Sequence, residues 1–412
     1  MIMTQTFEHA AAAAREGSLQ AFVPMFVEQM CAQGYAPASM KASTVLVQDF
    51  VNWLDQQGIE EGNLSTASAA EYLNERGRHR CRRRGDAFTL RSFVRFATAD
   101  GQAEQPDPRS VATPARQVRQ AFECYLEHER GLAAATVGLY GNAIGRFLEH
   151  AFGDGEVRLG ELDAADIVRF VQTEANRLHH AKRAKVMTSA LRAFLQYERY
   201  RGDIDADLHA CVPTVANWSM TGIPRTISTS QVECLLAACD RRSATGCRDY
   251  AMLLLMVRLG LRAGEVVALK LDDLDWDEAS IRIRGPAQRC DRLPLPSDVG
   301  AAVADYLRNA RPACSARNVF IRAKAPRRAL AGPSAVSCVV CRALRRAQID
   351  APVKGAHLLR HSLATHMLGQ GASLGEIAEI LRHRNPQTTM IYAKVDLNAL
   401  RALALPWPGG AQ

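Results

Sequence analysis

Tyr392, His383, Arg360, His357 and Arg262 are residues of the kinds that can act on a phosphate diester without a metal. Arginine guanidiniums keep their charge and hold non-bridging oxygens in a two-pronged fork. Imidazoles move protons near neutrality, and a phenol can become a covalent nucleophile. Along the chain they fall in Gly260-Leu261-Arg262-Ala263-Gly264-Glu265, then His357-Leu358-Leu359-Arg360-His361, then His383, with Tyr392 nine residues further on. Each has a plainer use when taken singly. Arg262 and Glu265 read as an ordinary surface pair. His357 and His361 lie one helical turn apart, as metal ligands do. The Leu-Leu-Arg between them, however, lacks the glutamate of a His-Glu-x-x-His site, and its arginine repels a cation. Five positions in one order override these separate readings.

The elements that must carry these residues follow from periodicity. His357 and Arg360, three apart, share one face of a helix beginning near His357, while Leu358, Leu359, Leu363 and Met367 bury the other side. Leu374, Ile377, Ala378 and Leu381 predict a second helix over Leu374–Leu381, ending just before His383. Asn385-Pro386 breaks the chain again, so Tyr392 belongs to a short separate segment able to move relative to the arginines. A helix over Tyr250–Leu259 leads into Arg262. Ser230-Gln231-Val232-Glu233 reads as the capping box that opens this region. The alternation Ile281-Arg282-Ile283-Arg284 predicts a strand, with the returning strand closed by Pro294-Leu295-Pro296.

The ordered set Arg…His-x-x-Arg…His…Tyr resembles the signature of the tyrosine recombinase (phage integrase) family, over about residues 227–405. The resemblance implies that Tyr392 attacks a scissile DNA phosphate, leaving a 3′-phosphotyrosyl link and a free 5′-hydroxyl. It implies that Arg262 and Arg360 stabilise the transition state, that His357 accepts the tyrosine proton, and that His383 donates to a phosphate oxygen. Glu265 supports the site from behind. No cofactor and no metal are implied. The partners would be double-stranded DNA with inverted-repeat-like core sites and a homo- or hetero-tetramer assembled on it, away from any membrane. The ending Tyr392-Ala393-Lys394-Val395-Asp396-Leu397, with Pro406-Trp407-Pro408, resembles recombinases of bacterial mobile elements, implying integration, excision or transposition. One departure stands out. The family places a general-acid lysine on the β-hairpin, and gap-free counting from Arg262 puts Pro286 there. Arg284 and Arg289 flank it and are expected to stabilise the charge on the leaving oxygen, although a guanidinium is a poor proton donor near neutrality. Two other readings stay open: a catalytically impaired DNA-binding homologue serving as architectural partner of sister recombinases, and a type IB topoisomerase.

The N-terminal half repeats itself. Phe26-Val27-Glu28-Gln29 answers to Tyr125-Leu126-Glu127-His128, Leu64-Ser65-Thr66-Ala67 to Leu162-Asp163-Ala164-Ala165, and Leu90-Arg91-Ser92-Phe93 to Leu191-Arg192-Ala193-Phe194. Helical periodicity with little β-branched clustering predicts two small all-helical bundles. The repeat also aligns two basic runs, Arg76 to Arg84 and Arg177 to Lys185. Arg78, Arg80, Arg82, Arg83, Arg84, Lys182, Arg183 and Lys185 are therefore expected to contact DNA phosphates rather than merely face solvent. Pro-rich stretches at Pro106–Pro114 and Pro213–Pro224 mark the boundaries. The expected organisation is mainly α. It has an N-terminal SAM-like DNA-binding bundle (1–104), a core-binding bundle (116–212), and an α+β tyrosine recombinase catalytic domain with a small antiparallel sheet and a C-terminal tail (227–412).

A formal net charge of +8 favours an anionic partner without naming it. No run of 18 apolar residues suggests a membrane span. The start Met1-Ile2-Met3-Thr4-Gln5 lacks the layout of a signal peptide, so a cytoplasmic, nucleoid-associated protein is expected. Eleven cysteines, an odd and scattered number, fit free thiols, with Cys338-Val339-Val340-Cys341 a packing element of a helix.

Overall fold

The computed structural model describes residues 19–83, 85–98, 113–153, 155–178, 181–215, 223–285, 290–383 and 385–395. Pro286, Arg289, Arg84 and the tail motif Pro406-Trp407-Pro408 lie outside them. Two compact units result. One comprises Met1–Leu64, Tyr72–Ala97 and Met220–Gln412; the other comprises Ser65–Glu71 and Thr98–Ser219.

The N-terminal bundle is built from α1 (Phe22–Ala32), α2 (Pro37–Gln56), α3 (Thr66–Arg76) and α4 (Asp86–Thr98), with a 3₁₀ turn at Glu61–Asn63. Proline opens α2, where its missing N–H costs nothing and its fixed φ suits a first helical turn. Phe50 is the hub of the core: it packs on Tyr72 at 5.2 Å and edge-on to Phe93 at 6.5 Å, and Phe26 meets Phe93 at 5.4 Å.

The second bundle has the same sequence of elements. They are α5 (Pro114–His128), α6 (Ala134–Phe152), a 3₁₀ turn at Leu159–Glu161, α7 (Ala164–Arg177) and α8 (Ala181–Arg201). Asp163 caps α7 in a box with Asp166. Phe147, Phe170, Phe194 and Phe122 form a chain of edge-to-face contacts through the middle. Both bundles are thus aromatic at the centre and turn on a 3₁₀ segment at the same place in the order.

The C-terminal region begins with α9 (Thr229–Ala237), α10 (Ala244–Leu259) and α11 (Ala263–Ala268). A three-stranded antiparallel sheet follows: β1 (Leu274–Asp275), β2 (Ser280–Arg284) and β3 (Cys290–Pro294), in the order β1-β2-β3. Register places Ile281 opposite Leu293 and Ile283 opposite Asp291. Ile281 and Ile283 are buried while Arg282 and Arg284 face outward, so the sheet has one covered face. Then come α12 (Ser297–Asp305), α13 (Pro333–Arg346), α14 (His357–Gly369), α15 (Leu374–Ile380) and 3₁₀ turns at Pro386–Thr388 and Met390–Val395.

The core here runs along α10, whose Ala251 through Val257 are all buried. Two sequence expectations need correction. The capping box of α9 uses Ser228 with Gln231, two residues before the expected Ser230 and Glu233. The stretch holds two overlapping boxes, and the earlier one satisfies the first orphan N–H groups. Helix α10 starts at Ala244, capped by Ser243, rather than at Tyr250. Arg248 and Asp249 break the apolar period there, yet both are buried, Arg248 bonded to Asp249 at 2.7 Å and to the Ile321 carbonyl.

Candidate active site

Arg360 is the centre of the site. It leaves α14 at 4 % exposure and donates from one terminal nitrogen to the Gly260 carbonyl and from the other to the Leu381 carbonyl. Gly260 ends α10 and Leu381 ends α15, so one guanidinium ties together the two helix ends that lead into Arg262 and His383. Gly260 has φ +60, and a Cβ there would lie 2.7 Å from Leu381 Cδ2. Glycine is therefore required on both conformational and steric grounds. Burial, then Arg262 and Arg382, push the Arg360 pKa down to about 10, which still leaves it charged at neutral pH. A guanidinium has five N–H groups, so bonds to two carbonyls do not exhaust it.

Arg262 is the N-cap of α11. Its Nη1 donates to Glu265 Oε1 at 2.7 Å, and its backbone N–H donates to Glu265 Oε2 at 2.8 Å. Arg382 Nη2 donates to the same Oε2 at 2.8 Å. Burial alone would raise the Glu265 carboxyl, but the Arg262 backbone N–H and the charges of Arg382 and Arg262 hold it below its usual range. An ionised Glu265 between two arginines thus sets where the Arg262 fork points.

Tyr392 lies in the last 3₁₀ turn, 1 % exposed, packed with Ala364, Ile377 and Leu381. Its hydroxyl is 2.8 Å from His361 Nδ1. Burial raises the phenol to about 12 against the pull of Arg360, so it is protonated at neutral pH. Burial, then His357 and Arg360, lower His361. In the tautomer with its proton on Nε2, a neutral His361 accepts the phenol O–H at Nδ1. The His357 and His361 rings stand 6.3 Å apart on α14. His383 Nδ1 pairs with Thr389 Oγ1 at 2.7 Å, and its pKa is pushed down to about 4 by burial, then by Arg360 and Arg262. If the Thr389 hydroxyl donates to Nδ1, Nε2 carries the proton and can donate to a phosphate oxygen.

The five residues singled out by spacing are therefore carried on four neighbouring pieces of chain, with Arg360 and Glu265 linking them. His361, Arg382 and Thr389 had no catalytic part in the sequence reading. His361 was legible only as half of a metal-like pair, and the place of Arg382 depends on a backbone turn. Arg284 is on β2 and engages buried Asp273 at 2.7 Å, which anchors the start of the hairpin. In the first bundle, Arg78, Arg80, Arg82 and Arg83 are exposed in the α3–α4 connection. Arg80 pairs with Asp49, and Arg82 donates to the Leu73 carbonyl and to Asn74. Lys182, Arg183 and Lys185 project from the first turns of α8, exposed around buried Ala184.

The helices, the sheet and the tyrosine beside Arg360 are the features against which relatives can be set. Residues 225–398 match the phage integrase family, and residues 120–202 match its N-terminal SAM-like domain. A Sinorhizobium fredii protein that carries an integrase/recombinase name is 47 % identical over 398 residues, covering 96 % of each chain. The tyrosine recombinase XerD of Ralstonia nicotianae is 30 % identical, covering 73 % of this chain and 97 % of its own. Among solved structures, a XerH site-specific recombinase in a post-cleavage complex with DNA superposes at a TM-score of 0.54 with 16 % identity, over 95 % of both chains. The integrase of transposon Tn1549 superposes at 0.51 with 16 % identity, over 70 % of this chain and 99 % of its own. The chain belongs to the tyrosine recombinase (phage integrase) family.

Proposed function

We propose that this chain is a site-specific recombinase that cuts and rejoins duplex DNA through a 3′-phosphotyrosyl link to Tyr392, in the integration, excision or transposition of a mobile element. The observation that carries the reading is the buried Tyr392–His361 pair placed beside Arg360. Tyr392 Oη attacks phosphorus and the bond from phosphorus to the 5′-oxygen breaks. The phenol proton passes to the imidazole in contact, His361, in place of His357, which the resemblance implied as acceptor and which stands one turn behind it. Arg262 and Arg360 hold the charge that builds on the non-bridging oxygens, and His383 donates to one of them. A 5′-hydroxyl from the partner strand then reverses the attack, so bond energy is conserved and no nucleotide cofactor is required. Each chain contributes one Tyr392, and exchanging four strands takes four chains, which makes a tetramer on two DNA sites the working assembly. Residues 1–104 and 116–212 act as two DNA-binding bundles, and 227–412 as the catalytic domain. The charge of the bundle connections supports their part.

The test is a nicked suicide duplex carrying the natural site, sought in the DNA flanking the gene. Wild type should form a covalent adduct. Tyr392→Phe should bind with unchanged affinity and form none; an adduct at the normal rate in that variant removes Tyr392 as nucleophile. Pro286 at the hairpin position favours one second reading, an impaired homologue that works beside sister recombinases. A wild type that binds its site but cleaves only when a sister protein is added would support it.

A further inference from the structure

Arg382 stands where glycine is the ordinary choice. Its N–H bonds the Glu379 carbonyl and the His383 N–H bonds the Ala378 carbonyl, the two bonds of a Schellman cap on α15. Its φ is +54, in the left-handed region that disfavours any residue with a Cβ. Its side chain is nevertheless only 7 % exposed. A cap needs neither a guanidinium nor a buried charge, since glycine would close this turn without strain. The side chain must therefore answer to something other than the turn.

Its contacts show what. Nη2 donates to Glu265 Oε2 at 2.8 Å, on the other side of the carboxylate from Arg262. Nη1 donates to the Ile380 carbonyl at 3.2 Å, which fixes the side chain over its own turn. Nε is buried, 3.9 Å from Asp291 Oδ2 on β3. The Arg382 carbonyl in turn accepts from Arg262 Nη2 at 3.4 Å. Arg382 thus grips Arg262 twice, once through Glu265 and once through its own backbone. It does so from the residue next to His383, and it faces the strand on which the hairpin returns.

We propose that Arg382 is a positioning residue for DNA cleavage. It holds the Glu265 carboxylate in place so that the Arg262 fork meets the phosphate, and it couples β3 to the loop of His383. The burial of its Nε argues against direct contact with DNA. The proposal rests on Arg262 as a phosphate ligand.

The test uses full-length protein and the nicked duplex, at saturating DNA. Arg382→Gly removes the side chain and fits the turn. It should bind DNA within about twofold of wild type yet cleave at least tenfold more slowly, and Arg382→Lys, which keeps a charge within reach of Glu265, should recover most of that loss. Glu265→Gln combined with Arg382→Gly should be no slower than the worse single variant, because the two act as one unit. Arg382→Gly cleaving at the wild-type rate, a lysine variant no better than glycine, or losses that multiply in the double variant would each overturn the proposal. Should Arg382→Gly melt below the assay temperature, Arg382→Asn, which also tolerates a left-handed backbone, is read by the same criteria. Coupling between the two substitutions in thermal melts needs no cleavage. A wild type without adduct would therefore sink the functional reading, while the Arg382–Glu265 pair would still be judged by its own measurement.

Discussion

Arginine is used in two opposite ways in this molecule. In the catalytic region Arg360 and Arg382 are 4 % and 7 % exposed, and each is held by carbonyls or a carboxylate at both ends of its fork. In the first bundle the Arg80 side chain is 65 % exposed and rests on a single partner, Asp49. A group that stabilises a transition state has to be in place before the reaction, because reorganising it would consume the gain. A group that follows a DNA backbone gains from a loose tether, since it must fit many phosphates and release counterions wherever it lands. On the proposed function, fixed and exposed uses of one side-chain type would divide chemistry from grip.

The largest expected effect tests the rigid half. Arg360→Ala removes donors from two carbonyls, of Gly260 and Leu381, and frees both helix ends. Cleavage should fall by about 10²–10³-fold or more, and the melting temperature should fall as well. Arg360→Lys should do little better, because one ammonium cannot replace a fork that spans two loops. A lysine variant with normal rate and stability would show that the fork is dispensable.

The hairpin comes next. If Pro286 leaves the 5′-oxygen without a general acid, Pro286→Lys should speed cleavage of ordinary DNA, by up to about 10²–10⁴-fold. A 5′-bridging phosphorothiolate, whose sulfur leaves unprotonated, should rescue wild type equally. Fast wild-type cleavage that responds to neither change means that another residue supplies the proton.

The first bundle should respond differently. Replacing Arg80, Arg82, Arg83 and Arg84 by glutamine should lower the slope of log affinity against log salt by about one unit for each DNA phosphate no longer neutralised. Single-turnover cleavage at saturating DNA should not change. An unaltered slope would assign the run to a solvated face, and a slower cleavage step would blur the division drawn above.

The smallest effect concerns a buried acid outside both sets. Glu198 on α8 has a fully buried side chain, and burial raises its pKa to about 7, with Arg201 opposing. A carboxyl raised on folding favours the folded state at low pH. That contribution is complete below its unfolded pKa and is lost as pH climbs through about 7. Glu198→Gln should therefore raise the melting temperature by a few degrees at pH 8 and leave it nearly unchanged at pH 5. Equal effects at both values would locate the cause elsewhere.

The chain reveals this architecture unevenly. The five proposed site residues, the strand at Ile281 and the helices at His357 and Leu374 are legible because each depends on local period or on residue type at fixed spacing. The two bundles are legible because each repeats the other. Arg382 is hidden because its importance comes from a positive φ and a carboxylate 117 residues away in sequence. The Tyr392–His361 contact is hidden because it depends on how a 3₁₀ turn folds back on α14. Arg248 and Asp249 disguise the start of α10, since a buried ion pair looks like a surface to any count of apolar residues.

Tyr392 at 1 % exposure also separates searching from committing. If Tyr392 is the nucleophile, the phenol packed against Ala364, Ile377 and Leu381 has to be uncovered by a shift of the Met390–Val395 turn, so its bond to His361 describes the state before attack. On the proposed reading, a chain bound to a wrong sequence would keep its nucleophile covered. The delay before the first covalent event then reports how often that cover opens, as well as how fast the chemistry runs.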